Sequence, residues 1–189
     1  IANAASLLWR LHSDGIDVGT RWKDLAEIAA TRMSDQSLVF ADLHYLLTFC
    51  GAERHDLITT MLATMAEASL KTTTSHGQVM QQVGLTLGQA MAAIASKDWV
   101  SAIAFLQSRE ESIPLIGGSN AQRDLFARLL LYAALAAKNI PLAQTLLRQR
   151  LEKNPQSGWA WRRQAELLHS LNDDIGAAAA QKKPQAQTS

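Results

Sequence analysis

The stretch GLTLGQAMAAIASKDWVSAIAFLQSREESIP, residues 84–114, decides the fold of this chain. Apolar residues recur at helical spacing on both sides of a break at Lys97 and Asp98. These residues are Leu87, Ala90, Met91 and Ile94 before the break, and Trp99, Ala102, Ile103 and Leu106 after it. Asp98 is placed to cap the second helix by accepting from its free N–H groups. The stretch therefore predicts two short helices joined by a tight turn, in a unit that Pro114 ends.

The same pattern returns further along the chain. Ala143 lies 41 residues after Ala102, and Ala177 lies 34 residues after Ala143. A period of about 34 residues is typical of tetratricopeptide helical hairpins, and the longer first interval holds an inserted loop at Gly117 and Gly118. We therefore predict an all-α fold of tetratricopeptide-like hairpins stacked into a right-handed superhelix, since one hairpin cannot bury its apolar stripe alone.

Helical spacing and sequence breaks give the limits of about five hairpins. A single domain, residues 1–180, is expected to hold hairpins at 1–33, 37–71, 76–108, 119–153 and 156–180, and residues 181–189 are expected to be a disordered tail. The predicted turns lie near Gly19, Gly51, Asp98 and Pro141, with Gly51 in the left-handed conformation that often follows a helix. Almost no stretch alternates apolar and polar residues with period two, which excludes a β fold.

Composition excludes several functional classes. A net charge of +1 with scattered basic residues disfavours a nucleic-acid partner. No apolar run approaches the roughly 20 residues that cross a bilayer, so no membrane association is expected. The single Cys50 rules out an internal disulfide and favours a reducing, cytoplasmic location. The sequence holds no Cys/His cluster, H-E-x-x-H motif or nucleophile elbow, so we expect no catalytic residue, no metal site and no cofactor.

Three polar-containing segments go beyond what a helical repeat requires. They are NAASLLWRL at residues 3–11, FADLH at 40–44 running on to FCGA at 49–52, and IGGSNAQRD at 116–124. Together they resemble the tetratricopeptide repeat protein 38 family, which shows HNAALLWRLE, FNDLHAMMAFVGAGR and IGGSHAQRD-like segments in this order. The resemblance reaches to about Leu171 and implies a helical-repeat fold in the C-terminal portion of a longer protein. It implies no particular reaction.

The chain departs from the family pattern at two histidines. Ala2 stands where the family has His before Asn, and Asn120 stands where it has His after Gly-Gly-Ser. Of three family-like histidines only His44 remains. A metal or acid/base centre that needs several imidazoles is therefore disfavoured.

The candidate binding residues come from these three segments, because hairpin packing does not demand their polar side chains. The set is Asn3, Arg10, Asp42, His44, Ser119, Gln122, Arg123 and Asp124. Buried polar groups need partners, so we expect these side chains to include a shared polar site in which Arg123 pairs with a carboxylate.

Simpler interpretations stand beside the shared site. Ser119 and Gln122 have the spacing of a capping box, which is favoured over an anion site at the start of that helix. Asp124 and Arg128 have the spacing of an i,i+4 ion pair. Asp42 and His44 are two residues apart on a helix and therefore point in different directions.

The leading functional interpretation is a non-enzymatic module that binds a peptide or partner protein in a concave groove lined by the first helix of each hairpin. The alternative is an enzyme or small-molecule-binding protein that uses a polar pocket formed by the three segments. Self-association into a homo-oligomer through an uncapped end repeat is a third interpretation. Convergence of the three segments in one cavity favours the pocket, and dispersal along an open groove favours the module.

Overall fold

The computed structural model describes residues 1–183, and these residues contain eleven α-helices and no strand, which confirms the all-α prediction. The helices are α1 Ala2–Ser13, α2 Arg21–Ala30, α3 Val39–Gly51, α4 His55–Ser69, α5 Ser75–Val79, α6 Leu85–Ala95, α7 Trp99–Ser108, α8 Asn120–Ala136, α9 Ile140–Lys153, α10 Gly158–Ser170 and α11 Asp174–Gln181. None of them, within this described part of the chain, is long and apolar enough to cross a membrane. Most of the predicted tail lies outside the described residues.

Two short helices of other types interrupt the α-helical pattern. A π-helical turn, Met80–Gly84, joins α5 to α6, and a 3₁₀ helix, Glu110–Ile116, follows α7. Pro114 lies inside the 3₁₀ helix, so it does not end the α-helix, which already stops at Ser108. The predicted two-helix unit is thus present as α6 and α7, and α7 ends at residue 108, the predicted end of this hairpin.

One turn geometry joins a helix directly to the next at four places, and the same geometry ends α1 at Gly15, where the Ile16 N–H donates to the Leu11 carbonyl at 3.0 Å. Its first residue has a left-handed φ, which is 56° at Glu53, 61° at Lys97, 54° at Lys138 and 61° at Asn172. The N–H of the next residue donates to the carbonyl five residues back, at 3.0 Å for Arg54, 2.8 Å for Asp98, 2.9 Å for Asn139 and 3.0 Å for Asp173. These are the hydrogen bonds of a Schellman-type helix end, so the four turns are closely similar in backbone structure.

Three of the four turns also share a side-chain cap. The carboxylate or amide oxygen of Asp98, Asn139 and Asp173 accepts from the N–H three residues on, at 3.1, 3.3 and 2.9 Å respectively. Arg54 has no such cap and instead forms ion pairs with Asp56 and Glu27. Four residues after each capping position the side chain is buried, and these residues are Ile58, Ala102, Ala143 and Ala177. The small residue predicted at Ala102, Ala143 and Ala177 is therefore a packing position.

The chain divides into two compact units, one at residues 1–133 and one that begins at Ala134. In the first unit, α3 packs against α1, α2, α4 and α6 and supplies the centre of the core. Its Leu43, Leu46 and Phe49 are fully buried. In the second unit, α10 packs against both α9 and α11, around buried alanine and leucine side chains.

Gly51 has a different role from the predicted one. It is the last residue of α3, and the left-handed conformation falls on Glu53 instead. A Cβ at Gly51 would lie only 2.4 Å from the ring of Trp22, because the indole packs directly on the Gly51 backbone. Glycine is needed here for close approach between α2 and α3 rather than for a positive φ.

Helical spacing in α2 predicts an apolar face formed by Trp22, Leu25, Ile28 and Ala29, and the observed buried face differs. Trp22 and Ala29 are buried, and Ala26 joins them, but Ile28 is 55% exposed. The helix also ends at Ala30, before the predicted end at Met33. The buried face of this helix follows the spacing Trp22, Ala26, Ala29, which the small alanines make hard to detect in the sequence.

Candidate functional site

Helix α8 begins with the predicted capping box. The Ser119 hydroxyl accepts from the N–H of Gln122 at 3.3 Å, and the N–H of Ser119 donates to Gln122 Oε1 at 2.8 Å. Gly117 and Gly118 precede it with φ values of 86° and 76°, which explains why the chain has glycine at both positions. The capping-box interpretation of Ser119 and Gln122 is confirmed.

The start of α8 lies against α1, so the third segment meets the first. Gln122 Nε2 donates to Asn3 Oδ1 at 3.2 Å. Arg10 Nη2 donates to the carbonyl of Ala121 at 2.8 Å. Asn3 and Arg10, which lie about two helical turns apart on α1, therefore both bind the first turn of α8.

The second segment joins this contact through Phe40 and His44. A Cβ at Gly118 would lie 2.8 Å from Phe40 Cε2, so the glycine backbone packs on the Phe40 ring. That ring in turn packs on the His44 imidazole, with 4.2 Å between centroids. The structure thus brings Asn3, Arg10, His44, Ser119 and Gln122 into one region, which we call the three-segment cluster.

His44 is the buried centre of the three-segment cluster. Its side chain is completely inaccessible, and Nδ1–H donates to the carbonyl of Phe40 at 2.6 Å. Because a carbonyl can only accept, this bond fixes the neutral tautomer with a lone pair on Nε2. Burial lowers the pKa of His44, the Phe40 bond opposes that shift, and the positive charge of Arg10 lowers the pKa further. The imidazole is therefore neutral at pH 7.

Three buried polar atoms of α1 and α3 are not hydrogen-bonded. His44 Nε2, Arg10 Nε and the Ser6 hydroxyl are buried without a partner among the described residues. Ser6 and Arg10 are four residues apart and so lie on the same face of α1. Buried polar atoms of this kind are normally satisfied by ordered water or by a ligand. Arg10 Nε can only donate, whereas neutral His44 Nε2 can accept, so the unpaired atoms include both kinds of group.

Asp42 belongs to a separate ion pair. Its Oδ2 lies 2.7 Å from His76 Nε2, with the two side chains 2% and 14% exposed. Burial raises the pKa of Asp42, while the hydrogen bond and the charge of His76 lower it. Asp42 and His44 thus point in different directions, as predicted. Sequence reasoning missed His76, because residues 72–77 carry no helical pattern that would place it beside α3.

Arg123 and Asp124 make local contacts. The Arg123 guanidinium donates to the carbonyls of Gly117 and Gly118 and, at 2.5 Å, to Asn120 Oδ1. The expected pairing of Arg123 with a carboxylate is therefore wrong, because the guanidinium donates to the carbonyls of the adjacent glycine turn instead. Asp124 pairs with Arg128 at 2.9 Å, which confirms the predicted ion pair. Arg123 and Asp124 stabilise the start of α8 rather than the three-segment cluster.

Comparison with protein-family models and with solved structures does not assign this chain to a family. No protein-family model matches the sequence. No solved structure matches the chain at a significant level. Within residues 1–183, no group of three or more histidine, cysteine or acidic side chains is arranged to hold a metal ion.

Proposed function

We propose that this chain is a tetratricopeptide-like repeat protein, similar to the repeat protein 38 family, that binds a peptide or partner protein. The observation that carries the proposal is the fourfold recurrence of one hairpin turn, with the same left-handed residue and the same backbone hydrogen bonds. In a regular repeat array, hairpins of one kind align their first helices along one surface. Such a surface places many side chains in register and suits an extended ligand.

The three-segment cluster has a supporting role in this proposal. Arg10 and Gln122 join the first helix of one hairpin to the first helix of a distant one. A link of this kind restricts movement between the hairpins and so preorganises the surface that they form. The exposed Asn3 and the start of α8 lie at the edge of the cluster, where a peptide could reach it.

The proposal is tested by selecting binding peptides from a random library displayed on phage, with the full chain as bait. The structure offers a matched pair of surface variants for the peptides recovered. Leu7 on α1 and Ile28 on α2 are both 55% exposed. Because the groove is assigned to first helices, Leu7→Ser should weaken peptide binding several-fold and Ile28→Ser should not. Peptides that lose affinity equally in both variants, or a library that yields none, would contradict the groove.

A second candidate function is binding or conversion of a small polar molecule in the three-segment cluster. The convergence of three distant segments on buried, unpaired atoms of His44, Arg10 and Ser6 favours it. The test is native mass spectrometry of the chain purified under mild conditions. A bound small molecule that is present in the wild-type protein and lost in His44→Leu would support this function. Identical masses for the two proteins, beyond the substitution itself, would exclude it.

A further inference from the structure

A cavity separate from the three-segment cluster lies in the first unit and has a volume of about 130 Å³. Aromatic side chains from three helices line it, and these are Trp9 of α1, Trp99 of α7 and Tyr132 of α8. Leu47 and Met91 contribute to its apolar lining. We call it the aromatic pocket.

The three rings form walls at steep angles to one another. The centroid of Tyr132 lies 5.3 Å from that of Trp9 and 6.0 Å from that of Trp99, and both pairs have an interplanar angle of 74°. Both indoles thus stand nearly perpendicular to the phenol ring. Aromatic rings that surround a small space attract cations through their electron-rich faces, and methylated ammonium groups are the usual ligands of such cages.

The pocket also carries one charge of each sign. Glu53 and Lys97 both line it and both are exposed. They hold the same left-handed position in two of the four repeated turns. Lys97 would repel a purely cationic ligand, and Glu53 would repel a purely anionic one. A ligand with both charges can satisfy both side chains.

Two further polar side chains line the pocket, His12, whose ring stacks on Trp9 at 5.9 Å, and Cys50, which is unreactive. Burial raises the pKa of the Cys50 thiol to about 12, and its Sγ lies 3.7 Å from the carbonyl of Met91. The thiol therefore stays protonated at neutral pH and is a poor nucleophile. Cys50 therefore does not form a covalent bond with a ligand, and binding in the aromatic pocket is non-covalent.

We propose that the aromatic pocket binds a small zwitterion that carries a methylated ammonium group and a carboxylate, as in the betaines. The ammonium group lies among Trp9, Trp99 and Tyr132, on the side of Glu53. The carboxylate pairs with the ammonium group of Lys97. The small volume admits only a compact molecule of this kind.

The test measures binding of glycine betaine to the full chain by isothermal titration calorimetry. Two compounds separate the contributions. 3,3-Dimethylbutanoate has nearly the same shape as betaine, but a neutral carbon replaces the positively charged nitrogen. Choline keeps the positive charge but lacks the carboxylate. We expect betaine to bind about tenfold more tightly than either compound, because each lacks one of the two charges. Equal binding of 3,3-dimethylbutanoate would identify a merely apolar pocket, and undetectable binding of betaine would overturn the proposal.

Variants assign the binding to this pocket. Trp99→Leu should weaken betaine binding about tenfold, whereas Tyr132→Phe keeps the ring and should bind like the wild type. Lys97→Asn should weaken the binding of betaine but not of choline, and asparagine tolerates the left-handed φ, so this variant folds. Lys138→Asn makes the same change in an equivalent turn that does not line the pocket, and should leave both affinities unchanged. Equal effects of Lys97→Asn and Lys138→Asn would contradict the assignment.

Discussion

Gln122 donates a side-chain hydrogen bond to Asn3 at 3.2 Å, although 119 residues separate the two in sequence. The other end of the same amide is also used, since Gln122 Oε1 accepts from the N–H of Ser119. A backbone N–H can only donate, so the amide orientation is fixed with Nε2 toward Asn3. One side chain thus completes the cap of α8 and holds that helix against α1.

Gln122→Glu should separate these two contributions. Glutamate keeps an oxygen for the Ser119 N–H, as in the usual capping box, but has no donor for Asn3. We expect a coupling free energy between positions 3 and 122 of about 0.5–1.5 kcal/mol in a double-mutant cycle with Asn3→Ala, measured by urea unfolding. If Gln122→Glu changes stability equally with Asn3 and with Ala at position 3, the hydrogen bond contributes nothing.

Ser119→Ala should remove the hydroxyl that accepts from Gln122 at the start of α8. The expected loss in the free energy of unfolding is about 0.5–2 kcal/mol, as for other helix N-caps. Ser119→Asp serves as the control, since aspartate caps as well as serine. Equal unfolding midpoints for Ser119→Ala and the wild type would show that Gln122 and the glycine turn suffice.

The sequence predicts the parts of this structure that depend on neighbouring residues. Helical spacing and capping residues identify the turn at Asp98 and the box at Ser119 and Gln122, because these contacts lie within one helical turn. The convergence of Asn3 and Gln122 could be proposed only from the resemblance, since no local rule brings positions so far apart together.

Other features depend on tertiary packing and leave no local signal. The pairing of Asp42 with His76 requires α5 to lie beside α3, and the π-helical turn Met80–Gly84 that follows α5 has no pattern of its own. The exposure of Ile28 follows from the packing of Trp22 on Gly51, which turns the alanine face of α2 inward. Even where the sequence correctly predicts a helix, its pattern therefore does not determine which face is buried.

Gly51→Ala should destabilise the first unit, because the new Cβ would lie 2.4 Å from the Trp22 ring. Overpacking of this kind typically costs about 1–3 kcal/mol. Trp22→Leu also destabilises, but it removes the clash. By the same overpacking estimate, Gly51→Ala should therefore lower the free energy of unfolding by at least about 1 kcal/mol less in the Trp22→Leu variant than in the wild type. Additive effects of the two substitutions in urea unfolding would argue against direct packing of the indole on Gly51.

Lys138→Gly should stabilise the chain, since Lys138 has a φ of 54° in its hairpin turn. Glycine adopts this conformation without steric cost, and we expect a gain of a few tenths to about 1 kcal/mol. Arg148→Gly provides the control, because Arg148 is an exposed cation in the middle of α9. There glycine should lower stability by about 1 kcal/mol. Thermal unfolding midpoints that shift in the same direction for both variants would contradict the left-handed turn.

The stability of the folded chain should fall as the pH is lowered from 7 to 5, and His44 should account for part of the fall. Burial lowers the pKa of His44 in the folded state, so the unfolded chain binds a proton at a higher pH than the folded chain does. The free energy of unfolding therefore decreases below the unfolded pKa of about 6.5, by up to about 1.4 kcal/mol per pH unit for one group. Asp42 acts in the opposite sense, because its folded pKa is raised.

His44→Asn isolates this contribution. The asparagine amide can still donate to the Phe40 carbonyl but does not titrate, so the variant should show a shallower dependence of stability on pH. Urea unfolding at pH 5, 6 and 7 measures that slope. A His44→Asn slope equal to that of the wild type would mean that His44 is protonated as readily in the folded chain as in the unfolded one, which would contradict its complete burial beside Arg10.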